Sequence, residues 1–148
     1  SAAIGMLSGS MSEFVLDSRL AADTVLIAEL DLSSLRLMND TRWPWLVLVP
    51  RMANAVELHD LSESDQFRLF TETVLAGRVL KAVTDCQKIN TAAIGNIVRQ
   101  LHVHVVARSP GDPNWPGPVW GQGPRVPYES SVIEDLSQTI RREIGASS

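Results

Sequence analysis

The chain has few of the residues that would mark a disulfide scaffold, a metal-thiolate site or a nucleic-acid surface. Its 148 residues include one cysteine, one tyrosine and three histidines. A lone cysteine, Cys86, forms no intrachain disulfide and cannot build a multi-cysteine zinc site. It follows "KAVTD" at an expected helix end and reads as a structural thiol in a reducing, cytoplasmic setting. Positive charge is scarce as well: 13 Lys and Arg against 17 Asp and Glu leave a net charge of -4. That balance argues against a duplex nucleic-acid partner. It leaves room for a phosphate-bearing small molecule, which backbone amides and local dipoles can hold. No apolar run reaches the ~18 residues of a membrane helix. The opening "SAAIGMLSGSMSEF" lacks the basic start and apolar stretch of a signal peptide. Residues 1–12 read as a disordered lead-in, and 13–148 as a single domain long enough to bury a core.

Hydrophobic spacing supplies the elements. "EFVLDSRLAADT" reads as a short strand and then a turn of helix around Arg19 to Asp23. Val25 to Glu29 and Ser34 to Met38 follow as strand candidates. "WLVLV", held between Pro44 and Pro50, is a buried strand, since a helix does not fit between those prolines. A long helix then starts at Ser62 as N-cap, with Asp65 in its first turn. Its expected inner face carries Phe67, Phe70, Val74, Leu75 and Leu80, opposite Arg68, Glu72, Arg78 and Lys81. "KINTAAIGNIVRQLHVHVVAR" reads as strand, loop, strand, with Gly95-Asn96 as the turn. The next stretch, 109–129, holds six of the eight prolines and two of the four tryptophans. It is an ordered loop draped over the body, because exposed tryptophans are costly. "SSVIEDLSQTIRREIG" closes the chain as a helix with Val132, Ile133, Leu136 and Ile140 inward. Several strands with one long helix between them point to an α+β sheet protein.

Two of the three histidines stand in "RQLHVHVVAR". If Leu101 to Ala107 is a strand, Gln100, His102, His104 and Val106 share one face and Leu101, Val103, Val105 and Ala107 the other. The second face is apolar and belongs to the core. The polar face admits three readings: a solvated sheet surface, a metal site, or nucleophilic catalysis at phosphorus. A metal needs a third ligand. The only other histidine, His59, precedes the Ser62 cap, where a structural role suits it, so no metal set is expected. For catalysis, a neutral imidazole attacks a phosphoryl group while a second imidazole two residues on manages charge at the same phosphate.

The stretch "QLHVHVV" resembles the signature of the histidine triad (HIT) superfamily: His, apolar, His, apolar, His, two apolars, with Gln100 in place of the first histidine. "LMNDTRWPWLVLVPRMANAVELHDLSESDQ" is similar to the HIT stretch in which Asn or Asp ends one strand, Pro-Arg ends the next, and His-Asp-Leu leads into the long helix. "IGNIVRQLHVHVVAR" resembles its glycine loop and triad strand. A closer likeness is to short bacterial HIT-like proteins with Gln at the first triad position and a "WPGPVWG" tail.

The resemblance implies a HIT-like fold: an antiparallel sheet of about five strands, one long helix and a C-terminal helix, in a homodimer that extends the sheet. It implies hydrolysis of a nucleoside phosphate derivative, such as a dinucleoside polyphosphate, a phosphoramidate or an adenylylated compound. Transferase chemistry and a nucleotide-binding regulator without turnover are the alternatives. His102 takes the nucleophile's place and becomes transiently nucleotidylated, and His104 is its electrostatic and acid/base partner at the phosphate. Gln100 cannot titrate but can orient by hydrogen bonding. Asn39 matches the position that bonds the ribose. Asn90 and Asn96 fall in the loop near the phosphate, where Gly95, Asn96 and the following amides form an anion cradle. Ile97 stands where many members carry Ser or Thr, which removes a hydroxyl donor. Trp115 resembles a tryptophan near the partner subunit's nucleotide site. No cofactor is required; a divalent ion can arrive with a polyphosphate substrate.

Overall fold

Alternating side chains along the two central strands give the chain a sheet with two different faces. The computed structural model describes residues 13–147, so the expected lead-in, residues 1–12, lies outside the described residues. In chain order the elements are a short helix α1 (Ser18–Asp23), strands β1 (Thr24–Glu29), β2 (Ser33–Met38) and β3 (Trp45–Pro50), helix α2 (Glu63–Thr84), strands β4 (Lys88–Ala92) and β5 (Val103–Arg108), and helix α3 (Ser130–Ser147). The five strands pair antiparallel in the order β1-β2-β3-β5-β4. Leu46 and Leu48 of β3 and Val103, Val105 and Ala107 of β5 point to one face, where Leu69, Val79 and Leu80 of α2 and Ile140 and Ile144 of α3 cover them. In the opposite phase, Trp45, Val47, Val49 and Val106 gather Trp43, Leu20 and Val119 into a second cluster. Leu101, Val103, Val105 and Ala107 are all buried, as the alternation predicts. No helix among the described residues is long and apolar enough to cross a membrane.

Helix α2 starts where its cap predicts, with Ser62 accepting from the Asp65 amide at 3.2 Å. Its orientation differs from the expectation. Phe67 and Phe70 are 68% and 69% exposed and Val74 40%, whereas Leu69, Glu72, Ala76, Val79 and Leu80 are buried. Glu72 fixes this rotation. Its carboxylate accepts from the amides of Leu32 (2.8 Å) and Ser33 (3.0 Å), two donors at the start of β2 that would otherwise be buried without partners. Replacing Glu72 with glutamine puts a donor where an acceptor is needed. Chemical denaturation is expected to show a loss of about 2 kcal/mol.

Three further expectations are corrected. Residues 13–17 form no strand; they run as an irregular arm that ends at Asp17, the N-cap of α1. Val132 is 49% exposed rather than inward, because Ser137, Ile140 and Ile144 set the buried stripe of α3. Asn90 is not in a loop. It sits in β4 opposite Val106, and its Oδ1 accepts from Arg108 Nη1 at 3.1 Å.

Arg108, 1% exposed, also anchors the proline-rich stretch. Its guanidinium donates twice to the Asp112 carboxylate (2.9 Å each) and once to the Gly117 carbonyl (2.8 Å), and lies 5.6 Å from the centre of the Trp115 ring. A buried guanidinium needs this many partners. The result is a loop fastened over the second face of the sheet, which brings Val119 and Trp120 to the end of β5.

Candidate functional site

On that second face the pleat of β5 and the residue before it present His102 and His104 side by side, with ring centres 4.8 Å apart and planes crossing at 78°. Their hydrogen bonds assign different protons to the two rings. The Trp45 indole N–H donates to His104 Nδ1 at 3.0 Å. An indole nitrogen can only donate, so Nδ1 is unprotonated and the proton of the neutral ring sits on Nε2. His102 Nδ1 bonds the Gln100 carbonyl oxygen at 2.6 Å. A carbonyl can only accept, so this Nδ1 carries a proton, and in the neutral ring Nε2 keeps the lone pair. The pair therefore offers one lone pair and one N–H donor. Attack at phosphorus needs the first, and a developing negative charge on a phosphoryl oxygen needs the second.

His104 is enclosed by aromatic rings, with Trp45 and Trp120 both 5.5 Å away centre to centre. Burial first, and the nearby His102 second, push its pKa down to about 3. It is neutral at physiological pH, so its Nε2–H donates without a formal charge. The unfolded chain binds a proton there near pH 6.5 and the folded chain does not. Stability from this group is complete above pH 6.5 and is lost as pH falls toward 3, by up to about 1.4 kcal/mol per pH unit. Denaturation curves across that window are expected to show the slope in the native protein and a flatter profile in His104→Gln.

Both imidazoles line a cavity of about 530 Å³. Its apolar walls are Leu20, Met38, Trp45, Val119 and Trp120, and its polar rim carries Arg19, Asp40, Arg42 and Arg125. Gly95, Asn96, Ile97 and Val98 run along another side. Gly95 has φ +65, and a Cβ there would come within 3.2 Å of the Val98 carbonyl oxygen, so the turn requires glycine. The amides of Asn96, Ile97 and Val98 donate to no protein group among the described residues, and such a run of open amides can receive an anion. A second cavity, of about 200 Å³, also touches His102 and is lined by Glu57, His59, Gly95 and Arg99. Among the described residues no three His, Cys, Asp or Glu side chains come together as a metal set.

Other candidates lie elsewhere. The Asn39 side chain is turned to the C-terminal segment, where Oδ1 accepts from the Tyr128 amide at 2.8 Å. Its neighbour Asp40, 1% exposed, faces the cavity instead. Burial opposes the charge of Asp40, but the Arg42 guanidinium outweighs it and holds the carboxyl below its ordinary range. Asn90 is tied to Arg108, on the wall of neither cavity. Ile97 is 77% exposed at the cavity's edge. Gln100 precedes β5, and its amide faces the arm at residues 15–17 rather than the imidazoles.

The HIT domain model matches residues 19–111. The chain belongs to the HIT family. A HIT protein from Sinorhizobium meliloti 1021 shares 50% identity, over 90% of this chain and 98% of that one, with a TM-score of 0.87. One from Bradyrhizobium japonicum shares 44%, over 89% and 98%, with a TM-score of 0.86. A third, from Marinobacter aquaeolei VT8, shares 39%, over 92% and 99%, with a TM-score of 0.88. No curated protein matches the chain. HIT proteins bind or hydrolyse nucleotides, and the described HIT fold, with its five-stranded sheet and two covering helices, agrees with these neighbours.

Within this HIT domain, sequence reading did not single out Asp40, Arg42 and Trp120, and placed Trp45 only in a buried strand. Trp45 carried a usable signal. It pairs with Val106, so it is a diagonal neighbour of His104 once the β3–β5 register is known. Without that register nothing joins positions 45 and 104.

Proposed function

We propose that this HIT protein hydrolyses a nucleoside phosphate derivative through a covalent nucleotidyl intermediate on His102. The observation that carries the reading is the complementary protonation of the two imidazoles. His102 Nε2 attacks the α-phosphorus, a P–N bond forms, and the bond to the leaving group breaks with its electron pair. The leaving group takes its proton from solvent. The resulting imidazolium keeps its Nδ1–H on the Gln100 carbonyl, a bond that strengthens as the ring becomes cationic. His104 Nε2–H and the amides after Gly95 receive the phosphoryl oxygens. Water then attacks phosphorus and gives up a proton to solvent, the P–N bond breaks, and His102 recovers its lone pair as nucleoside monophosphate leaves.

A proton-donating role does not suit His104, because giving up its only proton would leave an imidazolate. The neutral ring works as a fixed hydrogen-bond donor instead. No resident metal is needed, and a divalent ion would come with a polyphosphate substrate. Incubation with adenosine phosphoramidate or a diadenosine polyphosphate is expected to release AMP, followed by chromatography. Tight AMP binding without release would make the protein a nucleotide-binding regulator instead.

The proposed partner is a second copy of the chain. Strand β4 is an edge of the sheet, and beside it Phe70, Thr73, Thr91 and Ala92 line an open groove of about 550 Å³. Phe67, Phe70 and Val74 extend this apolar strip along α2, and such strips mark association surfaces. Sedimentation is expected to show a dimer that Phe70→Asp converts to monomer. A monomeric native protein would contradict the assignment.

A further inference from the structure

The side chain of Gln100 makes two hydrogen bonds with the arm that precedes α1. Its Oε1 accepts from the Asp17 amide at 2.8 Å, and its Nε2 donates to the Val15 carbonyl at 2.8 Å. A primary amide presents an acceptor oxygen and N–H donors in a single plane. Here it pairs with the C=O of Val15 and the N–H of Asp17, residues two apart, as a residue of a neighbouring parallel strand would. It does so across more than 80 positions of sequence, and among the described residues no other polar side chain bonds the backbone at Val15. The arm then reaches Asp17, whose carboxylate caps α1 by accepting from the Arg19 amide at 2.8 Å. Arg19 and Leu20, in the first turn of α1, stand on the wall of the cavity that holds His102 and His104. Leu20 is 4% exposed and belongs to the cluster with Trp45, Val119 and Trp120.

We propose that Gln100 is a positioning residue: its amide latches the N-terminal arm so that α1 delivers Leu20 and Arg19 to the nucleotide cavity, while its own carbonyl holds His102. An imidazole at this position has no planar donor and acceptor in the spacing of a peptide unit, so the glutamine is suited to the arm rather than to the phosphate. The consequence for substrate is specific. The Gln100 side chain governs nucleotide affinity through the cavity wall and takes no part in the chemical step, where only the backbone carbonyl of this residue acts on His102. The kinetic part of this inference rests on the proposed hydrolysis.

The test compares Gln100→Ala and the isosteric Gln100→Glu with the native full-length protein. Gln100→Ala is expected to raise KM, and the AMP dissociation constant, about tenfold while kcat stays within twofold. Hydrogen exchange of the Asp17 amide is expected to accelerate to the rate of an open chain in Gln100→Ala. Gln100→Glu keeps the Asp17 bond and loses the Val15 bond, so its Asp17 amide stays protected and its KM lies between the two. A fall in kcat at unchanged KM would overturn the proposal and place Gln100 at the reacting phosphate. Unchanged exchange at Asp17 in Gln100→Ala would overturn the latch itself. The exchange and AMP-binding measurements require no turnover, so absence of hydrolysis defeats the proposed function and leaves the latch still decided.

Discussion

Replacing His102 with glycine is expected to lower kcat by at least ~10⁴-fold while the fold is kept. The expectation follows from the lone pair on Nε2. Among the described residues no other cavity-lining group is a neutral nucleophile beside the open amides after Gly95. The binding surfaces remain in the variant, so KM and AMP affinity change little. The space left by the ring admits free imidazole, and added imidazole is expected to restore part of the turnover, since it supplies the missing nitrogen. A variant with native turnover would remove His102 from the mechanism.

The second large effect is expected from Trp45→Phe, a change that touches neither the nucleophile nor the phosphate. Phenylalanine keeps the ring packing and deletes the N–H that donates to His104 Nδ1. His104 is then free to place its proton on either nitrogen. The donor aimed into the cavity is no longer guaranteed, and a lost preorganised donor costs ~10²-fold in rate. The effect should appear in kcat. ¹⁵N chemical shifts of His104 are expected to show a single Nε2–H tautomer in the native protein and a mixture in the variant. In a His104→Ala background the Trp45→Phe change should add almost nothing, because the pathway runs through that ring. Equal losses in both backgrounds would show that Trp45 acts by packing alone.

The strands around the site were legible because alternation is a local property. Pro44 and Pro50 bound β3, and the apolar phase of Leu101, Val103, Val105 and Ala107 fixed which face of β5 is buried. The rotation of α2 was not legible. Phe67, Phe70 and Val74 form the more apolar stripe by composition, yet the stripe through Leu69, Glu72, Ala76 and Val79 faces the sheet. A buried glutamate that caps two backbone amides 39 and 40 positions away leaves no mark on local periodicity. At the site, His102 and His104 were found from spacing and resemblance together. Asn39 and Asn90 were read as nucleotide-binding because they fall at positions to which the family resemblance gives that role. Their side chains instead hold Tyr128 and Arg108 in place. The His104 tautomer was beyond sequence, since it depends on the Trp45 indole, which a separate strand contributes.

Rapid-quench mass spectrometry bears most directly on the proposed transient nucleotidyl-histidine. Enzyme mixed with an adenosine phosphate derivative, quenched in base within one turnover and digested, is expected to yield a peptide spanning residues 100–108 heavier by one adenylyl group, with fragmentation placing it on His102. Rapid AMP release with no adduct on that peptide at any time, or an adduct on His104 instead, would contradict it.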